Sequence, residues 1–194
     1  MKIYFAGPLF TPYVRKFIAE HAQILRENGI DPFVPHEKFN NMISREQVDA
    51  VIAAGKIRAE DLGTGDFREA VMDLIRRGKL SREDFNLPKM TPEVIFEVDY
   101  EGLSTADAVV AVLDGTQVDD GTACEIGIFS ALCRRDPSKK GIIGFMTDSR
   151  GVTRAATGYG VNLFVLGTVL EHGPIVDDFN EVIRQLKVWD AQPV

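Results

Sequence analysis

The stretch "DAVVAVLDGTQVDDGTACEIGIFSALC", residues 107–133, decides how the chain folds. It opens on an apolar run, Ala108 to Leu113, set between Asp107 and Asp114-Gly115. A short run of this kind, rich in valine and without polar alternation, reads as a strand buried on both faces. After a polar loop comes a helix in which Glu125 is the only charged residue between Gly121 and Cys133. Strand, loop and apolar helix in this order form a repeating unit of parallel sheets. An unpaired buried carboxylate is expensive, so Glu125 is either neutralised or used.

The same rhythm continues outward. "KIYFAG" (2–7) reads as a buried strand ending at Gly7-Pro8. "TPYVRKFIAEHAQILRENGI" (11–30) reads as a helix, with Thr11 as a possible cap, Pro12 in the first turn and Gly29 at the end. "DPFVP" (31–35) is a second short strand; "KGIIGFMTD" (140–148) and "NLFVLGT" (162–168) read as strands, and "IVDDFNEVIRQLKVW" (175–189) as a helix. Strands alternating with helices predict an α/β fold, a doubly wound (flavodoxin/Rossmann-like) parallel sheet flanked by helices. Ligands of such sheets bind beyond the carboxyl ends of the strands. "FAGPLF", "LDGTQVDDG" and "MTDSRG" fall at those ends.

Residues 1–194 are expected to form a single domain with a helical insertion at about 36–90, a polar stretch without a convincing strand. Within it "VIAAGKIRAEDL" (51–62) and "LIRRGKLSREDF" (74–85) resemble each other at a spacing of 23 residues. They read as two similar helix–turn units; the sharper alternative is a lid over the ligand site. "MTPEVIFEVDYEGLSTAD" (90–107) then resumes as a helix leading into the strand at 108.

Composition narrows the function. The chain is 45% hydrophobic and 26% charged, with net charge −7. That is ordinary for a globular protein and argues against a nucleic-acid polymer as partner, which calls for clustered Lys and Arg. The N-terminus is too short an apolar run for a signal segment or membrane span, and the two cysteines, Cys124 and Cys133, fit a reducing compartment. A cytoplasmic protein is expected. "GTGDF" (63–67) follows no strand and lacks the third glycine of a dinucleotide fingerprint. His21, His36 and His172 have no metal-ligand spacing, and no cofactor or metal is implied. What remains is acid chemistry: Asp99, Asp107, Asp114, Asp119, Asp120 and Glu125 crowd one segment. Asp107, Asp114 and Asp120 are compatible with a solvated surface, and Glu125 alone sits among apolar helix neighbours.

"KIYFAGPLF", "EVDYEGLSTADAVVAVLDG" and "DDGTACEIGIFSAL" together resemble the nucleoside 2-deoxyribosyltransferase family, as does the later "GYGVNLF". The resemblance covers roughly residues 1–35 and 91–190 and leaves 36–90 outside it. It implies that Glu125 is the nucleophile, Asp99 the acid that protonates the leaving base and Asp119 a sugar-orienting aspartate. It implies that Tyr4 positions the nucleophile and Phe10 walls the base pocket, and it puts Gly7 and Gly121 among the substrate-binding residues. Asn162 would reach the sugar in a neighbouring subunit's site, which makes the protein a homo-oligomer. The implied partners are nucleosides and free nucleobases, in nucleotide salvage.

The chemistry is consistent with those roles. Cleavage of an N-glycosidic bond builds positive charge on the sugar, which a carboxylate stabilises and then bonds to. The base leaves better when protonated, so a second carboxyl group must hold a proton near neutral pH. The helix N-terminus near Glu125 is expected to favour its ionised form. Two further readings stand beside the transferase. One is an N-glycoside hydrolase of nucleosides or nucleoside 5′-monophosphates, weakly disfavoured by Phe10 in "GPLFTPYVR" although Thr11 and Arg15 follow. The other is a non-catalytic nucleotide-binding module.

Overall fold

The computed structural model describes residues 1–148 and 160–192. Five strands, β1 (Lys2–Ala6), β2 (Asp31–Phe33), β3 (Ala108–Val112), β4 (Gly141–Phe145) and β5 (Ile175–Val176), pair in parallel in the order β2-β1-β3-β4-β5. Among the described residues the helices are α1 (Pro12–Glu27), α2 (Pro35–Asn40), α3 (Arg45–Ala53), α4 (Phe67–Arg76), α5 (Pro92–Thr105), α6 (Asp120–Cys133), α7 (Leu163–His172) and α8 (Phe179–Asp190). The doubly wound α/β sheet expected from residues 107–133 is therefore present. The strand order reverses between β1 and β3, and the crevice beyond their carboxyl ends is the natural ligand position.

Alternation along the strands assigns the two faces. Ile3, Phe5, Val110, Ile143 and Phe145 pack with Ile18, Ala22 and Leu25 of α1 and Val182 and Leu186 of α8. Tyr4, Ala6, Val109, Ala111 and Ile142 face Leu103 of α5, Ile126 and Phe129 of α6 and Leu166 and Val169 of α7. Tyr4 is thus committed, by its even position in β1, to the face that α6 covers.

Two elements differ from the sequence reading. "NLFVLGT" is not a strand: Leu163–His172 is helical, started by Asn162, whose Oδ1 accepts from the backbone N–H of Phe164 and Val165. A short apolar run fits buried strand and helix equally, and the cap decides between them here. At 175–189 the helix begins only at Phe179, capped by Asp178, because Ile175–Val176 pairs with β4 as the edge strand. Thr11 stands at the start of α1 with Pro12 following, but its side chain makes no capping hydrogen bond. Residues 149–151 of "MTDSRG" and Gly158-Tyr159 of "GYGVNLF" lie outside the described residues. Among the described residues no helix is long and apolar enough to cross a membrane.

The chain divides into two compact units, Met1–Val34 with the chain from Asp99 onward, and Pro35–Val98. The second has its own core, which includes Ile43, Val48, Val51, Val71, Leu74 and Phe85. Its internal likeness is structural: α3 and α4 each run out into a glycine with φ of +71°, Gly55 and Gly78. A 3-10 turn follows each, ending on buried Leu62 in one and buried Phe85 in the other. Left-handed backbone costs an L side chain about 1–2 kcal/mol. Gly55→Ala and Gly78→Ala are each expected to destabilise this unit by that amount in denaturant unfolding; an unchanged midpoint for either would contradict the shared turn.

Candidate active site

Tyr4 is fully buried and stacks on Phe33, its registered neighbour in β2, with ring centroids 5.5 Å apart. Its hydroxyl donates to Glu125 Oε1 at 2.6 Å. Glu125 stands in the second turn of α6, which starts on the loop after β3. The rotation of that helix is fixed by Asp119, whose Oδ2 accepts from the backbone N–H of Thr122 at 3.0 Å and from its hydroxyl at 3.3 Å. Thr122, Ile126 and Phe129 are buried on one side of α6, and Glu125 is carried beside them. Asp99, part-buried on α5, also interacts with the Tyr4 hydroxyl.

Burial governs the charges. The Tyr4 phenol is held far above its ordinary value, by desolvation first and then by the charges of Glu125 and Asp99, so it stays a donor. Glu125 is pushed up to about 8, chiefly by burial. The Tyr4 hydrogen bond opposes that rise, and the charges of Asp99 and Asp119 add to it. Asp99 is also raised by burial, against the pull of Tyr4. Desolvation outweighs the pull expected of the helix N-terminus, since Glu125 lies beyond the first turn, where that field fades.

Beyond the ends of β1, β3 and β4 lies a cavity of about 610 Å³ walled by Phe10, Tyr13, Phe17, Asp114, Gln117 and Asp119, among others. Asp119 belongs to both features, since it lines the cavity and its charge reaches Glu125. Tyr4, Glu125 and Asp99 are not in the cavity wall. Phe10 is 80% exposed. Gly7 sits where a Cβ would meet Ile18 and Val112 at 3.0–3.3 Å, so its visible part is a close approach of the β1 turn to the core. Gly121 is exposed beside Asp119. Asn162 is exposed and its hydrogen bonds go to its own helix; none joins it to Tyr4, Asp99 or Glu125.

The match to known proteins is family-wide. The nucleoside 2-deoxyribosyltransferase family matches over residues 3–183. The chain belongs to the nucleoside 2-deoxyribosyltransferase family. Among solved structures, a conserved protein from Enterococcus faecalis V583 superposes with a TM-score of 0.61 at 20% identity, covering 97% of this chain and 98% of that one. The 2-deoxyribosyltransferase from Bacillus psychrosaccharolyticus gives 0.51 at 21% identity, with 94% and 90% covered. The 2-deoxyribosyltransferase from Leishmania mexicana gives 0.50 at 17%, with 99% of each covered. At these identities the likeness establishes the fold. A search of curated protein sequences finds no match. Family membership supports an enzyme of the nucleoside deoxyribosyltransferase type, acting on N-glycosidic bonds as transferase or related glycosidase.

In this family member the remaining acids of the segment have structural partners. Asp107 Oδ2 accepts from Lys2 N–H at 2.7 Å at the start of β1. Asp114 accepts from the Thr147 backbone N–H and hydroxyl and from Asp148 N–H, clasping the β3 and β4 loops together. Phe33, Tyr13 and Gln117 are neighbours of the site that sequence alone did not single out, since each gets there by strand pairing or loop closure. Among the described residues no group of three or more His, Cys, Asp or Glu is arranged to hold a metal ion.

The raised Glu125 value has a measurable consequence. Between its ordinary 4.5 and about 8 the folded protein binds a proton that the unfolded chain does not. The stability tied to that proton is full below pH 4.5 and is lost as pH rises through about 8, by at most ~1.4 kcal/mol per pH unit. Glu125→Gln lacks this dependence. Its Tm relative to wild type is expected to rise steadily across that window and level off above it; a constant difference would show that Glu125 is not desolvated.

Proposed function

We propose that the protein transfers 2-deoxyribose between nucleobases by two displacements at the anomeric carbon. The observation that supports this best is the buried hydrogen bond from Tyr4 to Glu125 with Asp99 and Asp119 in electrostatic reach. In the first step a Glu125 oxygen bonds to C1′ while the C1′–N bond breaks. The electron pair stays on the base nitrogen, which takes a proton from Asp99. In the second step an acceptor base attacks C1′, the ester bond to Glu125 breaks, and Asp99 recovers a proton from the incoming base. The first step needs Glu125 ionised and Asp99 protonated, one proton for the pair, and the second step restores that state. Burial raises both groups, Glu125 to about 8, so in the free protein the proton rests on Glu125 near neutrality and passes to Asp99 for the first step.

The other residues follow from this assignment. Tyr4 orients the Glu125 carboxylate and leaves Oε2 for attack. Asp119 uses Oδ2 as the helix cap and has Oδ1 to accept from a sugar hydroxyl. The exposed ring of Phe10 offers a stacking face for the base, with Gly7 and Gly121 keeping the two loops low beside it. Asn162 stands beside Leu163 and Phe164, which are 74% and 85% exposed. Those two line a groove of about 530 Å³ with α6. An uncovered apolar edge next to a polar amide suits a contact with a second copy of the chain, with Asn162 reaching the neighbour's sugar site.

Incubation with deoxyinosine, with and without adenine, tests the reaction. New deoxyadenosine is the expected product. Hypoxanthine release that adenine does not divert would make the protein a hydrolase, and no turnover would make it a binding module. Glu125→Ala is expected to fold and to lose activity by several orders of magnitude. Asp99→Asn is expected to slow poor leaving groups more than an activated base analogue. For the oligomer, inactive Glu125→Ala and Asn162→Ala subunits are mixed and exchange is verified with differential tags. Partial return of activity is expected; exchange without it would put Asn162 outside the site.

A further inference from the structure

Gly102 lies in the interior of α5, where alanine is intrinsically about 1 kcal/mol better than glycine. It is buried, and a Cβ built on it would lie 2.5 and 2.7 Å from Phe33 ring atoms and 2.9 Å from Tyr4 Cδ2. The obstacles are two stacked rings anchored in paired strands, not flexible side-chain ends, so they cannot give way cheaply. Gly102 is also three residues after Asp99, on the same face of the helix. One close approach of α5 thereby seats the Tyr4–Phe33 stack and brings Asp99 to the Tyr4 hydroxyl.

We propose that Gly102 is a positioning residue of the active site: its missing side chain lets α5 close on the Tyr4–Phe33 stack, which sets the Tyr4 hydroxyl on Glu125 and Asp99 beside it. This rests on the reading of Glu125 and Asp99 as the reacting carboxyl groups, but the placement is separable from the reaction. An added methyl tilts or lifts the Tyr4 ring, and a hydrogen bond of 2.6 Å does not survive a displacement of that size.

The test has a structural readout and a catalytic one. The carboxyl carbon of Glu125, assigned by its loss in Glu125→Gln, is titrated by carbon-13 NMR in wild type, Gly102→Ala, Tyr4→Phe and the double variant. Deoxyinosine–adenine exchange is followed in parallel. Losing the Tyr4 donor removes the contact that holds Glu125 down, so Gly102→Ala and Tyr4→Phe should each move its midpoint up by about one pH unit. The double variant should move no further, and the single Gly102 change should lower kcat at least ~10-fold with KM little altered. An unmoved midpoint in folded Gly102→Ala overturns the proposal, as do shifts that add in the double variant. If Gly102→Ala does not fold, Phe33→Ala makes room. Phe33→Ala/Gly102→Ala, in which the methyl meets Tyr4 alone, should still titrate above Phe33→Ala, and equal midpoints overturn the proposal. If the midpoints move as expected but wild type neither exchanges nor releases a base, the placement stands and the reaction assigned above falls.

Discussion

A phenol–carboxylate hydrogen bond of 2.6 Å, from Tyr4 to Glu125, joins a central strand to the helix that follows its neighbour. Much of the fold serves to make it possible. The alternation of β1 sends Tyr4 to the α6 face, and the Asp119 cap sets the helix so that Glu125 meets the hydroxyl. Burial keeps the phenol protonated and lifts the carboxyl to about 8. Without that bond α6 would carry a desolvated acid with no donor, a cost of a few kcal/mol that the apolar surroundings could not offset.

The acids of residues 99–125 divide by what surrounds them. Asp107 and Asp114 accept backbone hydrogen bonds and hold strand ends in place. Asp120 bonds the N–H of Gly121 beside it. The charges of Asp99 and Asp119 instead act on Glu125 across part-buried space. The cavity beyond the sheet shares Asp119 with this group, so the strand ends and the Glu125 carboxyl are linked through one residue.

Much of this was legible in the sequence. The unbroken valine run of β3 and the apolar helix after it gave the parallel sheet, because both faces of such a strand must be covered. Glu125 was conspicuous since a lone charge in an apolar helix needs a reason. The helix at 163–172 was not legible, as a short apolar run carries no period to tell strand from helix and only the contacts of Asn162 reveal the cap. Nor was the upward push on Glu125, which depends on how deeply α6 settles on the sheet. Phe33 and Gly102 were invisible for a similar reason: their closeness to Tyr4 exists only once β1, β2 and α5 are packed.

The most direct measurement is mass analysis of the protein after acid quench with excess deoxyinosine and no acceptor base. The account predicts one deoxyribosyl group on the peptide that contains Glu125, absent from Glu125→Gln and discharged when adenine is added before the quench. Turnover with no adduct on that peptide, or an adduct that persists in Glu125→Gln, would contradict it.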